Sequence, residues 1–147
     1  MNFFKKLFGS SVSPSEEEQK EAEDKEFDVL KYDGMRAFKT GETAFAIECF
    51  RHALRLQEDL EVRDYLSQAL IQSNELLKAY DELQKLADAE PDNIQIVIRM
   101  AHVAYMMENY TVMGDACERG KLLDKDNVDI NYLYARACLG MGDLVNT

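Results

Sequence analysis

One stretch of this chain recurs along its length: residues 31–54 read KYDGMRAFKTGETAFAIECFRHAL, and the same pattern returns every 33 or 34 residues. Three sets of positions keep their character in all four copies. They are small residues (Gly34, Ser67, Ala101 and Ala135), apolar residues (Ala37, Leu70, Ala104 and Cys138) and bulky residues (Phe38, Ile71, Tyr105 and Leu139). A period of this length is typical of a solenoid, in which each unit is too small to bury its apolar face alone.

The boundaries of the units follow from turn and stop signals. The first unit covers residues 27–59, with helices predicted over 27–39 and 43–56 and a helix stop at Thr40-Gly41. The second unit covers 60–93 and ends at residues 90–93, where a proline prevents the helix from continuing. The third unit covers 94–127. A partial fourth unit, 128–147, begins with a helix over 128–139. The sequence GMGD at 140–143 then predicts a turn into another helix, so we expect a fragment of a longer protein. The alternative is that the helix over 128–139 caps the end of the solenoid.

The units resemble the tetratricopeptide repeat family. In the first unit, Gly34 matches the small residue where two helices cross, and Gly41 matches the turn. Ala46, Phe50 and Ala53 match the small–aromatic–small pattern of the second helix. The resemblance covers residues 27–147 and implies an all-α solenoid, a superhelix of about three and a half helix–turn–helix repeats.

In this family the first helix of each unit lines a concave groove that holds peptides. The resemblance places the following residues in or beside that groove: Lys31, Met35, Phe38, Asp64, Gln68, Ile71, Ile98, Arg99, His102, Tyr105, Tyr132 and Arg136. The bulky positions have a second interpretation, which is that Phe38, Ile71 and Tyr105 complete the packing between helices.

Some family members hold the acidic C-terminal tail of heat-shock chaperones in a basic clamp. Lys31 and Arg99 match two of its basic positions, but Met35 and Tyr65 stand where the clamp has asparagines, and Gln95 replaces its remaining lysine. Because Asp28, Glu61 and Asp64 lie nearby, the sequence argues against an acidic tail and favours a basic or amphipathic ligand.

The N-terminal part differs from the repeats. Residues 1–9, MNFFKKLFG, form an amphipathic segment whose Phe3, Phe4, Lys5, Lys6, Leu7 and Phe8 suit a weak membrane contact; a frayed tail is the alternative. Residues 10–26 are a polar and acidic linker. Ser13, Pro14 and Glu16 form a capping box, which predicts a helix from about residue 14.

Composition excludes several classes of function. A net charge of −11 disfavours nucleic acid, which requires clustered Lys and Arg. Cys49, Cys117 and Cys138 have no metal-ligand spacing. Cys117 and Cys138 fall at apolar repeat positions and are predicted to be small core residues, with reactive thiols as the alternative. Three free thiols indicate a reducing, cytoplasmic compartment. We find no phosphate loop, nucleophile motif or metal cluster, so we expect neither a cofactor nor catalysis.

The sequence therefore predicts a non-catalytic scaffold or adaptor that binds a peptide or partner protein in the groove. Three alternatives stay open. The first is a membrane-peripheral recruiting protein tethered by residues 1–9. The second is the targeting domain of a longer enzyme, and the third is self-association through the C-terminal end.

Overall fold

A computed structural model describes residues 15–146, and every regular element in that part of the chain is an α-helix. The helices are α1 (Glu16–Lys39), α2 (Thr43–Leu56), α3 (Leu60–Gln72), α4 (Leu76–Ala89), α5 (Ile94–Met106), α6 (Tyr110–Leu123) and α7 (Val128–Asn146). Each helix packs against the next one along the chain, and α1 also contacts α3 as α5 contacts α7. The expectation of an all-α solenoid is confirmed.

The turns inside the units share one backbone geometry. Gly41, Asn74 and Glu108 each have a positive φ, of 82°, 59° and 57°. After each of them an N–H reaches back to a carbonyl of the preceding helix, as in Glu42 to Ala37 at 2.8 Å. This arrangement is the Schellman motif, which satisfies carbonyls that the helix end would otherwise leave unpaired. The same turn therefore closes three successive first helices.

Small residues allow the helices of a unit to approach each other closely. Ala46, Ala53 and Ala101 are fully buried, and Gly34 is buried where α1 crosses α2. A Cβ added at Gly34 would lie 2.6 Å from a ring carbon of Phe50, whose side chain is fully buried. Burying an aromatic side chain of this size contributes about 1.5–3 kcal/mol. The crossing depends on glycine because the ring occupies the space of its missing side chain.

The first helix begins two residues later than predicted. Its N-cap is Ser15, whose side chain accepts a hydrogen bond from the Glu18 N–H at 3.2 Å. The predicted cap, Ser13, lies outside the described residues. The chain reads SPSEEE here, so the Ser-x-x-Glu pattern occurs twice in overlapping positions. From residue 16 the helix runs without a break through the exposed acidic stretch and into the first unit.

The predicted turn at residues 140–143 is wrong, because α7 continues through it to Asn146. Glycine at position 140 is explained by packing: a Cβ there would lie 2.4 Å from the ring of Tyr110 on α6. Glycine inside a helix costs about 0.5–1 kcal/mol relative to alanine. The close packing of Tyr110 offsets that cost, so the helix passes through residues that resemble a turn.

The residues of α7 keep the repeat pattern of the sequence, but their burial differs from that of their counterparts in α5. Ala101 and Ala104 of α5 are buried between neighbouring helices, whereas their counterparts Ala135 and Cys138 are exposed. Since α7 is the last helix described, other helices cover only one side of it. The prediction that Cys138 is a core residue is therefore wrong.

Cys117 is buried, as predicted, and Cys49 is buried as well. Burial raises the pKa of the Cys117 thiol to about 11 and shifts that of Cys49 in the same direction. Both thiols therefore stay protonated near neutral pH and behave as small apolar side chains.

Candidate functional site

Lys31 connects the first helix of unit one to the start of unit two. Its Nζ lies 3.2 Å from Asp59 Oδ2, in the loop before α3, and 2.8 Å from Glu61 Oε1 on α3. The hydrogen bond to Glu61 is the main cause that raises the pKa of Lys31 above its ordinary value. Only 16% of the lysine side chain is exposed, so its charge is held between two carboxylates of the same chain.

Arg99 connects α3 to α5 in the same way. Its Nη1 donates to a carboxylate oxygen of Asp64, and both side chains are a little more than one third exposed. Gln68, one helical turn after Asp64, is half-buried on the same helix. The two basic side chains that match the chaperone clamp are therefore both engaged by acids within the chain.

A pocket of about 160 Å³ lies between α5 and α7 and contains the third connection. Arg136 donates from Nη1 to the Tyr132 hydroxyl at 3.2 Å and from Nη2 to the Tyr105 hydroxyl. Its guanidinium carbon is 5.0 Å from the ring centre of Tyr105 and 5.9 Å from that of Tyr132, within cation–π range. His102 completes the rim. We call this site the Arg136 pocket.

These contacts join the four first helices in sequence: Lys31 to Glu61, Asp64 to Arg99, and Tyr105 to Arg136. Residues predicted from four separate segments therefore form one continuous surface. We call it the first-helix surface, and it consists of Lys31, Asp64, Gln68, Arg99, His102, Tyr105, Tyr132 and Arg136.

The apolar residues predicted for the groove contribute mainly to packing. Met35, Phe38 and Ile71 are half-buried against the core, and the Phe38 ring meets that of Tyr65 edge-on at 5.7 Å. Ile98 is only 7% exposed and belongs to the core. Its prediction as a groove residue is wrong, because α5 is covered on more of its circumference than an outer helix.

Two residues that the sequence analysis did not assign to the site form the floor of the Arg136 pocket. They are Met113 of α6 and Leu133 of α7, both buried. Leu133 directly follows Tyr132 and precedes Arg136 by three residues, so helical spacing was a usable signal. Met113 comes from a second helix, and only the packing of α6 between α5 and α7 brings it to the pocket.

The first-helix surface combines paired charges with exposed aromatic side chains. Among the side chains that the structure describes, no group of three or more His, Cys, Asp or Glu residues is arranged to hold a metal ion. Asp64, the acidic residue of the first-helix surface, pairs with Arg99. The aromatic side chains at the C-terminal end of the surface are exposed: Tyr105 at 38% and Tyr132 at 59%.

Several solved structures are similar to this chain, whereas no family model and no curated sequence matches it. The first TPR domain of Spaghetti (RPAP3), bound to the HSP90 peptide SRMEEVD, superposes with a TM-score of 0.66 at 14% identity, over 80% of this chain and 94% of that one. The TPR domain of Sgt2 from Aspergillus fumigatus gives 0.65 at 17% identity, over 93% and 87%.

Yeast Tom70 gives a TM-score of 0.72 at 22% identity, where the match spans 81% of this chain but only 25% of Tom70. At sequence identities this low, structural similarity establishes the fold alone. The fold agrees with the packing of successive helices and with the turn that recurs after each first helix. The resemblance inferred from the sequence is thereby confirmed at the level of structure: this chain has the tetratricopeptide repeat fold.

Proposed function

We propose that this protein is a non-catalytic interaction module that binds a peptide or partner protein along the first-helix surface, acting as a scaffold or adaptor. The observation that carries the proposal is the continuity of that surface across α1, α3, α5 and α7. An extended ligand lying across the four helices would meet paired charges at one end and exposed aromatic side chains at the other. One structural neighbour, the Spaghetti domain, is described with a bound peptide.

The character of the surface narrows the class of ligand. Lys31 shares its one positive charge between Asp59 and Glu61, so the α1–α3 end carries an excess of negative charge. The whole chain has a net charge of −11. Opposite charges accelerate encounter and select partners. These features support an amphipathic ligand that has basic residues at the α1–α3 end.

The direct test is site-specific photo-crosslinking in a lysate of the source cells. A benzophenone amino acid replaces either Gln68 on the first-helix surface or Leu122 on α6, which is 90% exposed. We expect a specific adduct from position 68 and none from position 122. An adduct formed from position 122 alone would contradict the proposal. This design leaves the ion pairs of Lys31 and Arg99 intact, whereas reversing either charge would disturb the packing of the helices.

A second candidate function concerns residues 1–9, which lie outside the described part of the chain. Their alternation of apolar residues and lysines supports a peripheral membrane tether that brings the solenoid to a lipid surface. None of the described helices has the length and apolar character needed to cross a bilayer. Co-sedimentation with anionic vesicles at low salt tests the tether: binding that disappears when residues 1–9 are deleted supports it, and no binding by the full chain rejects it.

A further inference from the structure

Arg136 differs from Lys31 and Arg99, the other two permanently charged basic residues of the first-helix surface, because it has no acidic partner there. Lys31 and Arg99 are each paired with carboxylates. Among the side chains described, no carboxylate oxygen lies within 4.0 Å of Arg136, whose partners are instead two tyrosine hydroxyls. It therefore carries an uncompensated positive charge in a strongly acidic protein.

The tyrosines orient this charge without neutralising it. A guanidinium has five N–H donors in a planar fork, and the two hydroxyls accept from two of them. The Tyr105 and Tyr132 rings lie within 6 Å of the guanidinium carbon and limit its movement. Three donors therefore remain for a ligand. A preoriented guanidinium of this kind suits a carboxylate, which can accept two parallel hydrogen bonds.

The shape of the Arg136 pocket favours an amino-acid side chain as its ligand. Its floor is apolar, formed by the buried Met113 and Leu133, while the charged and hydroxyl groups stand at the rim. The methylene groups of a glutamate or aspartate would contact the floor and its carboxylate would meet Arg136. One guanidinium balances one negative charge, and the charge of −11 on the chain disfavours a doubly charged phosphate.

We propose that the Arg136 pocket receives a single Glu or Asp side chain of an extended peptide and thereby fixes the register of that peptide on the first-helix surface. This inference rests on the proposed function. Combined with the acidic α1–α3 end, it describes a ligand of split charge, with basic residues over α1 and α3 and one acidic side chain over α5 and α7. The ligand is thus distinguished from a uniformly acidic tail.

The test is selection from a random peptide library displayed through its C-terminus, so that no free terminal carboxylate is present. The baits are the wild-type chain, Arg136→Gln, Arg136→Glu and Arg55→Gln. Arg55 is exposed on α2, outside the first-helix surface, so its variant is a control with the same change of charge. Circular dichroism of each bait checks that its helix content is unchanged.

We expect peptides selected by the wild type to have Glu or Asp at one common position. This preference should persist with Arg55→Gln, disappear with Arg136→Gln, and change to Lys or Arg with Arg136→Glu. Replacing the acidic residue of a selected peptide by its amide should weaken binding to the wild type about tenfold and leave binding to Arg136→Gln unchanged, since a charge-assisted hydrogen bond is lost in the first case alone.

Three outcomes would overturn the inference. They are selected peptides without an acidic position, an acidic preference that survives in Arg136→Gln, and tighter binding when phosphoserine replaces the acidic residue. Failure of the proposed function looks different, because then the wild type selects no peptides, or a benzophenone at position 68 does not crosslink to those it selects.

Discussion

At the residue scale, two contacts between helices depend on glycine, because it has no side chain. Gly34 gives space to the Phe50 ring, and Gly140 gives space to the ring of Tyr110. Glycine disfavours a helix because it loses more backbone freedom than other residues on folding. Its presence inside α1 and α7 therefore reflects packing between helices, where an added methyl group would displace an aromatic ring from a tightly packed core.

The first prediction concerns Gly34. Gly34→Ala should destabilise the chain by about 1–3 kcal/mol, since the new Cβ would overlap with the fully buried ring of Phe50. Helix propensity alone would have the opposite effect, stabilising by about 0.5–1 kcal/mol. Urea unfolding followed by circular dichroism measures the net change.

Gly114→Ala is the matched control on α6. A Cβ there would meet the Met141 Cε at 3.5 Å and the Ala137 Cβ at 3.9 Å, which are ordinary contact distances. This variant should be more stable than the wild type by about 0.5–1 kcal/mol. If the two variants shifted stability in the same direction, packing would not be the reason for glycine at position 34.

At the element scale, one arginine ties three successive parts of the chain together. Arg63 on α3 donates from Nε to Glu58 Oε1 at 2.8 Å, in the loop after α2, and from Nη1 to Glu82 on α4. The Arg63 and Glu82 side chains are each only 13% exposed. The sequence alone does not reveal this network, because its members lie in three different elements.

The second prediction is that Arg63→Met lowers the free energy of unfolding by about 1–3 kcal/mol, since Glu82 would keep only the longer contact to Lys85 at 3.4 Å. The double variant Arg63→Met/Glu82→Gln should recover part of the loss in urea melts. No recovery would mean that the loss in Arg63→Met does not come from leaving the Glu82 carboxylate without its arginine partner.

The same network should make stability depend on pH. The hydrogen bond from Arg63 is the main cause that lowers the pKa of Glu58 below its ordinary value. A carboxyl whose pKa is lower in the folded chain stabilises it above the unfolded pKa, and that contribution is lost as pH falls through the folded pKa. The third prediction is therefore that the stability difference between wild type and Arg63→Met is largest near neutral pH and decreases in acid. Melts in acid that show an undiminished difference would contradict it.

At the scale of the whole molecule, the basic residues Lys31 and Arg99 are surrounded by acidic side chains of the same chain. The two basic residues that match the chaperone clamp are neutralised by Asp59, Glu61 and Asp64 within the chain. The Spaghetti domain, which shares the fold, is known in complex with the peptide SRMEEVD. Since one fold can carry different side chains on the same face, the fold alone does not determine the ligand.

The fourth prediction is that this chain binds SRMEEVD at least about tenfold more weakly than the Spaghetti domain does, as measured by fluorescence polarisation of a labelled peptide. The variant Glu61→Gln/Asp64→Asn, which removes two of the competing carboxylates, should bind the peptide more tightly than the wild type. Equal affinities of the wild type and the Spaghetti domain would show that the internal ion pairs do not block an acidic tail.

Local and repeated features of the sequence were sufficient to predict the class of fold. The turn signals at Gly41 and Asn74 act through neighbours in the chain. The period of 33 or 34 residues and the small residues at helix crossings recur from copy to copy, so they are recognisable without coordinates. The bounds of α2, 43–56, were predicted correctly for the same reason. The positions of the repeats along the sequence were likewise sufficient to assign residues to the first helix of each unit.

Other properties depend on contacts between distant residues, and the tertiary structure was needed to reveal them. Ile98 is buried, α7 continues past Gly140, and Lys31 and Arg99 are paired with acids, because in each case the neighbouring helix determines the environment. The Arg136 pocket is the clearest example, since α5, α6 and α7 each contribute residues to it. A repeat sequence specifies which face each residue occupies, whereas burial, pairing and free charge depend on what packs against that face.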